Sequence, residues 1–285
     1  MLNHRRSVSG ESAFAASVRG TSLARGRPTG MEQKWPDTLW LVRHGQSAGN
    51  VARDKAERAG IPLIDVATRD VDVPLSGLGE QQAAALGHWF GALPPSKQPS
   101  VVLTSPYLRA VSTAERILRS AGLEGERVTF VVDERLREKE FGILDRLTHV
   151  GIRAKYPDLA EQRAHVGKFY FRPPGGESWC DVILRLRNTL ETITREYRGE
   201  RLLIVSHQVV VNCLRYLLER LDEAQILAID RAADVPNCSI TSYEFDSRQG
   251  RQGKLVPRLV NFVAPLREEG APVTAEPDLS AAPKA

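Results

Sequence analysis

The chain is poor in cysteine, has no long apolar run and carries no net charge over most of its length, and each shortage removes a class of function. Its 285 residues include three cysteines, Cys180, Cys213 and Cys238, odd in number and far apart, with no Cys-x-x-Cys motif and no Cys/His pair at zinc spacing. Neither a disulfide framework nor a structural zinc site follows from that pattern, and the three read as free thiols in a reducing compartment. No apolar stretch approaches the roughly 18 residues of a membrane span, so no membrane partner is expected. The formal net charge is +4, yet residues 1–30 hold five arginines (Arg5, Arg6, Arg19, Arg25, Arg27) against one acid, Glu11, which leaves 34 basic and 34 acidic residues in the remainder. The basic excess belongs to that N-terminal segment. No nucleic-acid-binding body is expected, and any anion site in the body must be local.

What is present is a globular composition. A hydrophobic fraction of 42% with few low-complexity runs is enough for a sizeable core. Residues 1–35 are rich in Ser, Arg, Ala and Gly without apolar periodicity and read as a disordered basic tail, because they bury too little to offset the entropy of ordering them. The same composition fits an organelle transit peptide, and Met31 is an alternative start, so a cytoplasmic location is expected with targeting by residues 1–30 left open. The Ala/Pro-rich stretch 266–285 reads as a second loose tail, which leaves residues 36–265 as the folded domain.

Within that domain Leu39-Trp40-Leu41-Val42 reads as a buried strand, and it breaks into Arg43-His44-Gly45 instead of a turn of small polar residues. Charge at a buried strand end has to be paired, by a surface carboxylate or by a ligand. Residues 47–60 are expected to leave the sheet as a short helix that keeps Asn50 near His44, and 61–74 as a loop. Ser76 is an N-cap for a helix ending near Gly91. Val101–Thr104 is a second strand, and Ser105-Pro106 reads as cap and first helical position of a helix stopped by Gly122. A third strand over 128–132 runs into the charged stretch 133–142, and 143–176 is a long excursion in which Lys168-Phe169-Tyr170-Phe171-Arg172 suits a lid or a packed strand. A helix opened by Ser178 follows, then the apolar strand 201–206 ending in His207, a helix over 209–220, and two closing strands, 239–245 and 255–262. The alternation predicts an α/β fold: a three-layer sandwich with a mostly parallel central sheet and helices on both faces.

In such sheets ligands bind beyond the carboxyl ends of the strands. His44, Arg109, Glu138 and His207 each fall just past the end of a different strand. Two arginines and two histidines at one spot repel one another unless a dianion lies between them, and phosphate matches the guanidinium fork. Arg109 in the first turn of its helix also opposes the helix dipole, a conflict that a nearby anion removes.

Leu41-Val42-Arg43-His44-Gly45-Gln46-Ser47 with Asn50, Ser105-Pro106 with Arg109, Glu138 four residues before Gly142, and Val205-Ser206-His207 resemble, in order, the motifs of the histidine phosphatase (phosphoglycerate mutase-like) superfamily over roughly residues 37–265. The resemblance implies a phosphohistidine mechanism. His44 is then the nucleophile, attacking through one ring nitrogen while the other donates to a backbone carbonyl. Arg43, Arg109 and His207 hold the phosphate oxygens, Asn50 and Gln208 complete the cradle, and Glu138 protonates the leaving oxygen and later activates water. No metal and no cofactor are implied. Glu140 competes with Glu138 for the acid role, and the family's Glu-x-x-x-Gly spacing favours Glu138. His149 and His165 lie in the excursion, while His88 reads as structural and His4 as part of the tail.

Within the superfamily, the segment from Lys168 to Ser178 followed by Ser206-His207-Gln208 looks most like fructose-2,6-bisphosphatase, and the compact excursion favours hydrolysis over mutase exchange. Asn212 stands where that enzyme has an arginine, and His149 where it has a substrate-binding tyrosine, so its substrate is not carried over. Lys168, Tyr170 and Arg172 are candidates for distal contacts or for purely structural roles. The expected function is a metal-independent phosphatase acting on a phosphorylated sugar or other small metabolite, with a phosphoprotein also open. Mutase-type phosphoryl transfer and a non-catalytic phospho-ligand-binding member are the alternatives.

Overall fold

The strand-forming runs carry apolar side chains at odd and even positions alike, and the fold uses both sets. The computed structural model describes residues 33–125 and 127–276, and the expectations for residues 1–32 and 277–285 lie outside the described residues. Six strands, β1 (Thr38–Arg43), β2 (Val101–Thr104), β3 (Thr129–Val132), β4 (Arg201–Ser206), β5 (Ile240–Asp246) and β6 (Lys254–Phe262), form one sheet in the order β3-β2-β4-β1-β5-β6. The first four places are parallel, and β5 and β6 add antiparallel partners at one edge. The mostly parallel three-layer architecture expected from the alternation is the one found.

The helices are α1 (Ala48–Arg58), α2 (Gly77–Ala92), α3 (Leu108–Ala121), α4 (His149–Lys155), α5 (Pro157–Val166), α6 (Trp179–Glu196), α7 (Gln208–Glu219), α8 (Glu223–Ala232) and α9 (Ala264–Glu268). Because side chains alternate across a strand, Leu39, Leu41, Leu202 and Ile204 face α6 and α7, and Trp40, Val42, Leu203 and Val205 face α2 and α3. Each side chain so buried contributes about 1.5–3 kcal/mol, in keeping with the four successive apolar residues, Leu39–Val42 and Leu202–Val205, at the centres of β1 and β4. No helix among the described residues is long and apolar enough to cross a membrane.

One crossover sets up the site. The chain leaves β1 and returns as β2 two places away, and β4 later fills the gap, pairing Arg43 with Ser206 in register. The His44 amide donates to the Ser206 carbonyl at 2.9 Å. Two strand ends that are about 160 residues apart in sequence thereby become neighbours, and both run into histidine.

Three expectations are corrected. Residues 266–276 are not a loose tail: α9 turns the chain back, Leu266 is buried in the cluster beneath α2, and the Gln82 side-chain amide donates to the Pro272 carbonyl at 2.8 Å. One leucine and a run of main-chain acceptors do this, and Ala/Pro composition hides both. Lys168–Arg172 is not a packed strand but a turn pinned by buried Phe169 and Phe171. Helix α3 starts at Leu108 with no side-chain cap, so Ser105 is released from the capping role read for it.

The turn after β1 rests against the first turn of α2 with backbone on backbone. A Cβ on Gly45 would lie 2.6 Å from the Gly79 carbonyl oxygen, and one on Gly79 would lie 2.0 Å from that of Gln46. Neither contact can be relieved by a side-chain rotation. Gly79→Ala is expected to destabilise the fold by about 1–3 kcal/mol, read as a lower urea midpoint. An unchanged midpoint would mean that the turn after β1 shifts freely.

Candidate active site

Each side chain of the site is carried to the same end of the sheet by its strand. Arg43, the last residue of β1, is buried, and its guanidinium donates to the Val235 carbonyl at 2.6 Å and to the Glu276 carbonyl at 2.5 Å. His44 follows with 0% exposure. Its Nδ1 lies 2.7 Å from the Gly45 carbonyl oxygen, which can only accept, so Nδ1 carries the proton and Nε2 the lone pair. Arg109 Nε donates to that Nε2 at 3.3 Å. The His44 carbonyl accepts from the Asn237 side chain at 2.9 Å, and the Gly45 amide donates to Thr113 at 3.0 Å, which holds the ring's backbone from two sides.

His207, after β4, has its ring centroid 5.1 Å from that of His44, in an edge-on arrangement. Its Nε2 is 2.7 Å from Ser105 Oγ, and the Tyr107 ring lies edge-on at 5.1 Å. Burial, then the charge of Glu140, pushes the Tyr107 hydroxyl pKa upward, so it stays protonated and donates to Glu140 at 3.1 Å. The remaining Arg109 nitrogens donate to Asp70, at 2.6 Å to its carbonyl and 3.3 Å to its carboxylate. Asn50 completes a capping box with Ser47 and donates to the Glu276 carbonyl at 3.2 Å, and Gln208 donates to Asp234 at 2.6 Å.

Glu138, beyond β3, is 1% exposed, and its carboxylate accepts from the Lys139 amide at 2.8 Å. Glu140 is half-exposed and already engaged by Tyr107. The Glu138 segment is clamped to α6. Arg185 donates to the Glu138 carbonyl at 3.3 Å and to Glu177 at 2.9 Å, and Arg137 adds a bond to Glu177 at 2.8 Å. Burial alone would raise the Glu177 pKa, but the hydrogen bond and charge of Arg185 outweigh it, so the carboxyl titrates below its ordinary range. A lowered carboxyl stabilises the fold above its unfolded-state pKa and loses that contribution as pH falls through the folded-state value.

The structure thus brings together Arg43, His44, Asn50, Arg109 and His207 and places Glu138 and Gln208 beyond the ends of β3 and β4. It separates the three distal candidates. Phe169 and Phe171 point into the core, so the residues between and after them point out. Tyr170 is 55% exposed and hydrogen-bonds Glu223, and Arg172 pairs with Asp181. Lys168 turns inward to Asp230, 2.5 Å away. Beside it Lys139 is buried over the Phe141 ring at 3.9 Å, and burial lowers its pKa to about 8 although Glu138 and Glu177 pull it upward. Asn212 is 1% exposed, and neither amide atom has a hydrogen-bond partner among the described residues. Sequence reasoning missed Ser105, Thr113, Asn237, Asp70, Lys139 and Glu276. Of these only Ser105 carried a signal, its place in the Ser105-Pro106 motif, and there it reads equally as a helix cap.

Glu177→Gln is expected to cost about 3 kcal/mol at pH 7, since it leaves Arg185 and Arg137 short of a carboxylate. The gap between the two proteins in chemical denaturation should close as pH falls below the ordinary carboxylate pKa of about 4.3. A gap independent of pH would show that the carboxylate charge is not what holds the Glu138 segment.

Residues 39–256 match the model of the histidine phosphatase superfamily, branch 1. A 2,3-bisphosphoglycerate-dependent phosphoglycerate mutase of Allorhizobium ampelinum is 33% identical over 203 residues, covering 70% of this chain and 87% of the relative. A 6-phosphofructo-2-kinase/fructose-2,6-bisphosphatase of Caenorhabditis elegans is 30% identical over 224 residues, covering 75% of this chain and 43% of that longer protein. Among solved structures, a mycobacterial glucosyl-3-phosphoglycerate phosphatase superposes with a TM-score of 0.60 at 26% identity, covering 80% of this chain and 100% of its own. With the motif residues gathered at one end of a mostly parallel sheet and the family model spanning 39–256, the chain belongs to the histidine phosphatase superfamily, branch 1.

Proposed function

We propose that this protein is a metal-independent phosphatase that hydrolyses a phosphomonoester of a small metabolite through a phosphohistidine on His44. The observation that carries the reading is the His44 ring, held by the Gly45 carbonyl with its Nε2 lone pair toward Arg109 and with His207 stacked edge-on beside it. In the first step Nε2 attacks phosphorus, the ester oxygen leaves, and Glu138 gives that oxygen a proton. Arg43, Arg109 and His207 hold the non-bridging oxygens, with Asn50 and Gln208 completing the cradle, and supply the positive charge that a metal would otherwise bring. In the second step Glu138, now a carboxylate, takes a proton from water as that water attacks phosphorus, the P–N bond breaks, and inorganic phosphate and neutral-tautomer His44 are restored.

The small-metabolite class is supported by the relatives, a phosphoglycerate mutase and a glucosyl-3-phosphoglycerate phosphatase. Near the proposed acid, Lys139 is buried and already faced by Glu138 and Glu177, and Asp230 pairs with Lys168. The proposed location is the cytoplasm, in keeping with three free cysteines. The identity to mutases, 33% against 30% for the bisphosphatase relative, favours mutase-type transfer as the second reading.

A panel of phosphorylated metabolites assayed in EDTA tests both readings. Release of inorganic phosphate is expected, with a loss of at least a thousandfold in His44→Ala, while accumulation of an isomerised phosphate that needs a bisphosphate primer would select the mutase. Activity that survives His44→Ala, or that EDTA abolishes, overturns the mechanism. Glu138→Gln should lose much more rate with alkyl phosphates than with p-nitrophenyl phosphate, whose leaving group needs no proton; equal losses assign the acid elsewhere.

A further inference from the structure

The segment after α9 ends on the very groups assigned above to phosphate. Its approach is anchored first. Gln82 donates to the Pro272 carbonyl at 2.8 Å and to Thr274 Oγ1 at 2.9 Å, the Asn237 amide donates to the Thr274 carbonyl at 2.8 Å, and Thr274 Oγ1 donates back to the Asn237 side chain at 3.0 Å. The chain then reaches Glu276. Its carbonyl oxygen accepts from both Arg43 and Asn50, and its carboxylate accepts from Gln46 at 3.1 Å. Asp70 in turn occupies the outer nitrogens of Arg109. Arg43, His44 and His207 are all fully buried in this arrangement.

A main-chain carbonyl shared by a guanidinium and an amide, with a carboxylate alongside, offers the donors what a phosphate oxygen would offer. The same N–H groups cannot serve both acceptors at once. We propose that Pro272–Glu276 is an intramolecular strap that occupies the phosphate pocket, and that an incoming phosphate group displaces Glu276 from Arg43 and Asn50. The proposal rests on the phosphatase reading of the pocket and adds to it a closed state of the free protein. Thr274 holds the strap through Gln82 and Asn237 and touches none of Arg43, His44 and Asn50; because Asn237 also holds the His44 carbonyl, phosphate binding and not turnover alone is the readout.

The experiment uses the full chain and inorganic phosphate. Thr274→Val removes the hydroxyl that joins Gln82 to Asn237 and is expected to tighten phosphate binding by roughly three- to tenfold, the equivalent of about one hydrogen bond of strap stability, with KM for p-nitrophenyl phosphate falling in step. Glu276→Gln, which keeps the anchor and removes the negative charge, should move both constants in the same direction by a smaller factor. In the unaltered protein, saturating phosphate should speed hydrogen exchange in the peptide covering residues 272–276. Phosphate that binds the unaltered chain with an affinity unchanged by either variant, or slower exchange at 272–276 on binding, overturns the strap and makes the segment a lid that closes on phosphate. Failure of every variant to bind phosphate overturns the phosphatase reading itself, and the strap with it.

Discussion

Repulsion among like charges is the constraint around which this molecule is arranged. Arg43, His44, Arg109 and His207 meet at one end of the sheet with almost no exposure, in surroundings where two positive groups a few ångströms apart cost far more than in water. The protein answers with acceptors. Val235, Glu276, Asp70 and Gly45 take hydrogen bonds from Arg43, Arg109 and His44, and the Gly45 carbonyl fixes the His44 proton on Nδ1. A pocket held in this way is primed for any ligand that brings more negative charge than those acceptors do.

The framework that makes the convergence possible is the insertion of β4 between β2 and β1. It places two strand ends that each run into histidine side by side, and hydrogen bonding between them sets the spacing of the rings. Glu138 is positioned differently. Glu138 follows an exposed edge strand, so its position comes from the Glu177–Arg185–Arg137 cluster on the helix side and not from sheet pairing. His44 therefore sits on the sheet-paired part of the fold, and Glu138 on a segment whose placement depends on ion pairs.

Much of this was legible beforehand. Buried parallel strands read as continuous apolar runs, so β1, β2 and β4 and the charged residues that end them stood out, and a chain alternating such runs with helices has few ways to fold. The unread parts share a physical cause. Tyr170 and Arg172 read as site candidates because aromatic and basic side chains alternate there, but Phe169 and Phe171, on either side of Tyr170, take the inward positions. Lys139 stands in a charged run that resembles a solvated surface, and only the fold buries it, over the Phe141 ring. Helix α8, which buries Ile226 and the Asp230 partner of Lys168, falls in a stretch that had suggested no element at all.

The amino-acid sequence by itself determined the fold class, the family motifs and the four residues, His44, Arg109, Glu138 and His207, that lie past strand ends, because each of these follows from local patterning and from the rule that parallel sheets bind ligands at their carboxyl edge. Only the tertiary structure decided which acceptors meet the arginines, that Ser105 serves His207 instead of a helix, and that the alanine- and proline-rich end of the chain returns to lie on Arg43. Those are contacts between residues 39 to 233 positions apart, made by backbone carbonyls and single side chains, and backbone carbonyls leave no mark on composition or periodicity.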